Sequence, residues 1–300
     1  MTTGRPFSSP IDLLKKVTSS RRPEDAIRRL VTDLRSRVQA CKGPVKGVKY
    51  PPYDPRPFAE LLGATEIRGA DLDVAGRIVV NEADVVIEFN RESTASYRRR
   101  FTLAHEVGHL ALWEAEKKLV PDSKPRRARS QAVERLCDAV AAELLAPHAE
   151  IRSNWRAVCK RPLSGRIGPD PLKMIEDIAK EFGVSLQMAA IRFVEVCSPQ
   201  MGVGLLDIRK ECFVWCHRVP DRASLLALLL RRHKEGVAGN LKDTGGLFSG
   251  ADSYALTNTE VDSVPAEWRS MGFDPALCLV VVKPRTFSSA RRRRRRALAF

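Results

Sequence analysis

FTLAHEVGHLAL, residues 101–112, repeats its apolar side chains at three- and four-residue spacings, which predicts a helix over Tyr97–Glu114. On such a helix His105 and His109 lie one turn apart on the same face, and Glu106 lies on the adjoining flank. Burying three ionisable side chains in an otherwise apolar helix is costly without a partner such as a metal ion. A surface polar cluster is the alternative interpretation, and the apolar setting disfavours it.

The order His-Glu-x-x-His is typical of a hydrolytic metal site. Two neutral histidines can hold zinc, which acidifies water, while the intervening Glu106 reaches that water without binding the metal. Glu106 would then accept the proton during attack on a peptide carbonyl and return it to the leaving amine. The pattern predicts metal-assisted hydrolysis of a peptide bond.

A catalytic zinc usually takes three protein ligands, and a second predicted helix, from about Ser130 to Ala146, supplies candidates for the third. Glu134 and Asp138 lie four residues apart on one face, so Glu134 can bind the ion while Asp138 accepts an N–H from a ligating histidine. Glu143 and Glu150 compete for the role of third ligand. Glu134 is favoured over Glu143, which lies deeper in the apolar half of the helix.

FTLAHEVGHLAL, followed by VERLCDAVAAELLAP at residues 133–147, resembles the ImmA/IrrE family of bacterial metallopeptidases. In that family an HExxH helix precedes a helix with a glutamate ligand and an FAxxLLMP-like ending. The resemblance covers about the first 150 residues. It implies zinc ligands at His105, His109 and Glu134, with Glu106 as the catalytic base. Zinc is the implied ion, with manganese as the alternative in the cell.

Two positions depart from the family pattern without removing a ligand. Asp138 stands where the family often has asparagine, and LLAP replaces LLMP. Asp138 is instead similar to the aspartate of glutamate-ligand zincins, which orients a histidine. Peptide deformylases are disfavoured because their third ligand is an upstream cysteine, and the sequence has none between Cys41 and Cys137.

The resemblance also implies a substrate. Members of the family typically cleave a helix-turn-helix transcriptional repressor, commonly encoded nearby, and so switch on stress or mobile-element genes. Tyr97, Arg98 and His148 are candidates for stabilising the oxyanion that forms during such a cleavage. An exposed or capping role is the alternative for each of them.

The order of predicted elements indicates an α+β fold in three parts. A zincin-like metallopeptidase domain with a small sheet covers residues 1–150, a helix-turn-helix-like unit covers 151–198, and a C-terminal α/β domain, similar to a GAF domain, covers 199–300. The predicted elements outside the metal site are helices at Pro23–Val38, around 57–64, at Pro171–Val196 and at Asp221–Lys234, and strands at Thr65–Arg68, Gly76–Val80, Asp84–Phe89, 202–208, 212–219 and 277–283.

IEDIAKEFGVSLQMAAIRF, residues 175–193, has the pattern of two helices joined at Gly183. A helix that reads DNA normally exposes several polar side chains to base edges. Here only Ser185, Gln187 and Arg192 qualify, which favours a structural or partner-docking pair over sequence-specific DNA binding.

The formal net charge of +15 includes six consecutive arginines, Arg291–Arg296. Such a charge attracts polyanions, including nucleic acid, although solvated basic faces explain it equally well. Aromatic residues make up 6% of the chain, which disfavours a single-strand binder. The rival function is therefore a non-catalytic regulator that binds DNA or a repressor through its basic surface and keeps the metal site as structure.

The seven cysteines are odd in number and form no CxxC pair, which disfavours a disulfide framework. Cys212, Cys216 and His217 lie in one predicted strand, where residues four apart are about 13 Å from each other, too far for one ion. No stretch approaches the roughly 20 apolar residues of a membrane span, and no signal peptide is evident. We expect a cytoplasmic protein with reduced, mostly buried thiols and no membrane partner.

Overall fold

A computed structural model of the chain describes residues 8–42, 53–81, 84–93, 95–121, 130–160, 171–197, 201–207, 209–218, 249–254, 264–271 and 274–282. These residues contain eight helices and eight strands, so the predicted mixed α+β class is confirmed. They divide into two compact units, one within 1–156 and 177–192 and the other within 157–176 and 193–300. The division into three domains stays a prediction.

The helices of the chain begin and end as follows: α1 Pro10–Val17, α2 Pro23–Lys42, α3 Arg56–Leu61, α4 Ser96–Leu119, α5 Gln131–Leu145, α6 His148–Lys160, α7 Pro171–Phe182 and α8 Leu186–Val196. Local signals fix several of these ends. The Ser130 hydroxyl caps α5 by accepting a hydrogen bond from the Val133 amide, and Gly63, at φ +92°, follows α3. The predicted helices in these regions are confirmed, whereas α1 and α6 were not predicted.

Three short strands form a sheet beside α4. They are β1 Glu66–Ala70, β2 Gly76–Val80 and β3 Val85–Asn90, in the order β1-β3-β2. The central strand β3 is parallel to β1 and antiparallel to β2. The three predicted strands are confirmed, with β1 and β3 each starting one residue later than the pattern indicated. Within the strands that the structure describes, β2 pairs only with β3, so its other edge is available for hydrogen bonds to an extended segment of another chain.

Helices α4 and α5 form the centre of the first unit. Ala104 and Val107 on α4 and Val140 and Leu144 on α5 are completely buried. A β-carbon at Gly108 of α4 would lie 3.1 Å from the Cys137 Cα, so the glycine permits a close approach of the two helices. This packing brings the histidine face of α4 against the glutamate face of α5.

Helices α7 and α8 are joined by a turn at Gly183, which has φ +58°. The Ser185 hydroxyl accepts a hydrogen bond from the Met188 amide, and Arg192 is buried against the end of α5. Two of the three polar side chains that could have read DNA therefore have roles within the fold. The helical pair is present, but its assignment as a helix-turn-helix is unconfirmed.

The second unit contains a five-stranded antiparallel sheet with the order β5-β4-β8-β7-β6. Its strands are β4 Gly202–Asp207, β5 Cys212–His217, β6 Ser249–Tyr254, β7 Val264–Met271 and β8 Asp274–Val282. The pattern predicted β4, β5 and β8 but neither β6 nor β7. The predicted helix Asp221–Lys234 and the arginine run Arg291–Arg296 lie outside the described residues. The GAF-like assignment stays a prediction. In the part of the chain that the structure covers, no helix has the length and apolar character needed to cross a membrane.

Candidate metal centre

Helices α4 and α5 bring two imidazoles and a carboxylate together. The Nε2 atoms of His105 and His109 lie 3.1 Å apart. Glu134 Oε2 lies 3.1 Å from His105 Nε2, and its Oε1 lies 3.5 Å from His109 Nε2. The imidazoles are mostly buried and the Glu134 carboxylate is 32% exposed, so the cluster can be reached from solvent on its glutamate side.

Asp138 determines which ring nitrogen of His105 carries the proton. Its Oδ1 lies 2.8 Å from His105 Nδ1, and because a carboxylate only accepts, the Nδ1–H donates to it. In neutral His105 the Nε2 lone pair then faces the Glu134 carboxylate. Two electron-rich atoms at this distance repel each other unless a cation lies between them.

A proton or a metal ion can supply that positive charge. Burial lowers the pKa of His105, but the hydrogen bond to Asp138 and the charges of Glu106, Asp138 and Glu134 outweigh it, so the pKa is above its ordinary value. The same carboxylates that attract a proton attract a divalent ion.

The separations within the cluster suit a small divalent ion. Zinc bonds to nitrogen and oxygen of about 2.0 to 2.2 Å place neighbouring ligand atoms of a tetrahedron about 3.3 to 3.6 Å apart. The separation of 3.1 Å between the two Nε2 atoms, and those of 3.1 and 3.5 Å from them to one or the other Glu134 carboxylate oxygen, are close to that edge length. Two imidazoles and one carboxylate are also the donor set of many catalytic zinc sites, so the residues fit the implied metal.

Glu106 lies between α4 and the edge strand β2. Its side chain is among the most buried of the described residues, at 1% exposure. A β-carbon at Gly76, the first residue of β2, would be 3.3 Å from Glu106 Oε1. The same β-carbon would be 2.5 Å from Thr102 Cγ2, so glycine is the residue that fits here, and the start of β2 lies directly next to the predicted base.

Glu143 and Glu150, the alternative candidates for the third metal ligand, form hydrogen bonds with other residues. Glu143 accepts a hydrogen bond from Arg192 Nη2 at 2.6 Å and another from the His148 amide at 3.1 Å. Glu150 accepts hydrogen bonds from Arg35 and from the Tyr53 hydroxyl. Since cations or donors already hold both carboxylates, Glu134 is the acid that this geometry favours.

The candidate oxyanion stabilisers lie farther along the helices. Tyr97 precedes His105 by eight residues, about 12 Å along the axis of α4, and its side chain is 40% exposed. Arg98, in the same turn, is exposed. His148 begins α6, beyond the end of α5 opposite to Glu134, where burial and the nearby Arg28 lower its pKa. An oxyanion role for these residues stays a prediction without support from their positions.

Cys137 also belongs to this cluster, although its sequence position did not predict it. One ring nitrogen of each histidine and the Cys137 sulfur all lie within 4.8 Å of one another, and the cysteine is completely buried. The only sequence signal was its spacing, three residues after Glu134 on the same helix face. The number and spacing of the cysteines in the whole chain predicted a buried thiol, not a position beside the metal ligands.

Removal of the Asp138 carboxylate should weaken metal binding. In Asp138→Ala the His105 ring loses the acceptor that fixes its tautomer, so we expect zinc affinity to fall about 10- to 100-fold. Competition with a chelating indicator measures the affinity. Arg135→Ala, on an exposed neighbouring position of α5, is the control. Equal affinities in the two variants would contradict this role of Asp138.

Comparisons with known proteins agree with the geometry. Residues 73–194 match the family model described as the IrrE N-terminal-like domain, Peptidase_M78, a range that includes β2, β3 and all of α4 and α5. The predicted resemblance to the ImmA/IrrE family is thus confirmed over these residues. No curated protein sequence matches the chain. A solved structure described as a Mycobacterium tuberculosis transcriptional regulator is 12% identical, with a TM-score of 0.51 over 91% of this chain and 79% of that one. At this identity the likeness concerns the fold alone.

Proposed function

We propose that this member of the ImmA/IrrE family is a zinc-dependent regulatory endopeptidase that cleaves a helix-turn-helix transcriptional repressor. The proposal rests on one observation. His105, His109 and Glu134 converge at mutual distances of 3.1 to 3.5 Å, next to the buried Glu106. The peptidase family matched by residues 73–194 supports the reaction class, and the regulator with a similar fold is compatible with a role in transcription.

The chain's own residues have distinct roles in this proposal. His105, His109 and Glu134 hold the divalent ion, and Asp138 keeps the His105 ring in the tautomer that can bind it. The bound ion supplies Lewis acidity toward water and the peptide carbonyl. Glu106 accepts a proton from the attacking water and delivers it to the amine of the departing peptide. Its burial excludes bulk water from the carboxylate.

The edge of β2 is the proposed surface for the substrate backbone. Among the described strands β2 pairs only with β3, so its other edge offers backbone groups to an extended peptide. The close approach of Gly76 to Glu106 puts this edge beside the base. A peptide added there as a further strand would pass near the metal ligands. Such binding uses backbone hydrogen bonds and suits a protein substrate.

A cleavage assay tests the proposed function. The purified full chain, loaded with zinc or manganese, is incubated with a helix-turn-helix repressor encoded beside its own gene. We expect specific metal-dependent fragments that a chelator prevents. No cleavage with either metal would favour the rival function, a non-catalytic regulator that binds DNA or the repressor and keeps the metal as structure.

A side chain at Gly76 should disturb both the sheet and the base. In Gly76→Ala the new methyl group would lie 2.5 Å from Thr102 Cγ2, closer than atoms can pack, and 3.1 Å from the Glu88 carbonyl oxygen, a tight contact. We expect β2 to move away from α4, with a stability loss of about 1 to 3 kcal/mol. The cleavage rate should fall by about tenfold or more, because small displacements of reacting groups slow catalysis.

The Thr102→Ser background tests the origin of this effect. Serine removes the Cγ2 atom that makes the shortest contact, while the contacts to Glu88 and Glu106 remain. Part of the lost thermal stability should return in the Gly76→Ala, Thr102→Ser double variant. An equal loss with and without Thr102→Ser would show that this contact is not the cause.

A further inference from the structure

The sulfur of Cys137 lies next to the predicted metal ligands. It is within 4.8 Å of a ring nitrogen of His105 and of His109, and it is the most deeply buried member of that group. Glu134, by contrast, is 32% exposed. The cluster thus has an oxygen donor on its solvent side and a sulfur donor on its buried side.

Gly108 of the HEVGH run permits this arrangement. A β-carbon there would be 3.1 Å from the Cys137 Cα and 3.2 Å from its Cβ. A larger residue would separate the helices and withdraw the sulfur from the histidines. The close backbone approach places Cys137 opposite the HEVGH run, and the distances from its sulfur to the two ring nitrogens place the thiol beside the centre.

We propose that Cys137 is a further ligand of this metal centre, which binds thiophilic ions together with His105 and His109. Thiolate sulfur favours soft ions such as cadmium and copper(I), whereas manganese prefers oxygen. The centre would therefore hold hard ions through Glu134 and softer ions through both Glu134 and Cys137. The inference rests on the proposed metal centre and extends it to metal selection.

The distances allow the additional bond. A metal–sulfur bond as long as that of zinc, about 2.3 Å, would place sulfur about 3.5 to 3.7 Å from the nitrogens of the same tetrahedron. The observed limit of 4.8 Å exceeds this by about an ångström, a difference that a rotation about the Cys137 side chain can remove. Formation of the metal–sulfur bond breaks the S–H bond and releases its proton to water.

Such a bond changes the coordination. Two histidines and Glu134 leave a position open for water, as catalytic sites require, whereas a fourth protein ligand closes the site, as in structural centres. Cadmium and copper(I) are thus expected to bind tightly and to be poor activators of cleavage, and Cys137→Ala should weaken their binding without weakening that of manganese.

Cobalt(II) is the spectroscopic probe for this ligand. We expect the cobalt-loaded full chain to show ligand-field bands in the visible range and a sulfur-to-cobalt charge-transfer band in the near ultraviolet. The charge-transfer band should disappear in Cys137→Ala and in Cys137→Ser, with the visible bands retained. It should persist in Cys41→Ala, which removes an exposed cysteine. Two variants are used because serine keeps the size of the side chain and alanine removes its polar atom.

The outcomes separate this inference from the proposed function. The role of Cys137 would be overturned if the unmodified chain showed visible bands without a charge-transfer band. It would also be overturned if the charge-transfer band were unchanged in both Cys137 variants. Either result would leave the peptidase proposal standing. Failure of the unmodified chain to bind cobalt, zinc or manganese would overturn the metal centre itself, and both proposals with it. Cadmium affinity about tenfold or more lower in Cys137→Ala would support the inference.

Discussion

Replacement of Glu106 by glutamine is expected to lower the cleavage rate by about 10²- to 10⁴-fold, the usual contribution of a general base. Glutamine has nearly the same shape as glutamate but cannot accept the proton at neutral pH. Glu106 lies beside β2 in the interior of the first unit, and the metal cluster is made by three other side chains. The variant should therefore retain its zinc.

Rates and bound metal are measured on the same preparations. Glu92→Gln, which changes an exposed glutamate in the loop after β3, is the control and should cleave normally. Loss of cleavage with full zinc content in Glu106→Gln supports the enzyme. Unchanged biological output from Glu106→Gln, by contrast, would favour a regulator in which the metal helix is structural.

Replacement of Arg192 by alanine should destabilise the first unit by about 3 to 5 kcal/mol, because it leaves a buried carboxylate without its cation. Arg192 Nη2 donates to Glu143 at 2.6 Å, and its Nε and Nη2 donate to the Ala146 carbonyl oxygen at 3.0 and 2.9 Å. Both charged side chains are 10% exposed. The arginine thereby ties α8 to the end of α5, the helix that carries Glu134.

Urea unfolding measures this loss as a change in the free energy of unfolding. Arg156→Ala, at an exposed position of α6, is the control and should change stability by less than about 0.5 kcal/mol. Joint replacement of Arg192 by methionine and Glu143 by leucine should recover most of the stability, since no buried charge is then left alone. A loss below about 1 kcal/mol in Arg192→Ala would mean that solvent still reaches the pair.

Elements with strong local patterns could be predicted from the sequence. Helices α4 and α5 repeat their apolar residues at helical spacing, and the strands of the small sheet are short β-branched runs between polar residues. Helix α1 was missed although Ser9 caps it and Pro10 begins it, because only eight residues show the pattern. Strand β7 was missed because VPAEWRSM contains a proline and charged residues.

The parts of the site that depend on the spacing within one helix, or on the family resemblance, could be predicted from the sequence. The spacing of His105 and His109 puts them on one face of α4, and the spacing of Glu134 and Asp138 does the same on α5. The position of Cys137 beside the histidines depends on how closely the two helices approach at Gly108, which periodicity does not reveal.

Two further features of the fold, at Gly76 and Arg192, could not be predicted because they depend on contacts between segments that are distant in sequence. Gly76 read as the first residue of an ordinary strand, yet its lack of a side chain makes room beside Glu106. Arg192 read as a polar residue on a possible DNA-reading helix, but it is a buried partner of Glu143. Each depends on a contact across at least 30 residues of sequence, which only the folded chain defines.

The central claim is that His105, His109 and Glu134 hold a divalent ion within reach of Glu106. Anomalous diffraction at the zinc absorption edge, from crystals of the zinc-loaded full chain, tests it most directly. We predict one strong anomalous peak bonded to the two Nε2 atoms and to a Glu134 carboxylate oxygen, with Glu106 outside the coordination sphere. A peak bonded to other residues, or none at this cluster, would contradict the claim.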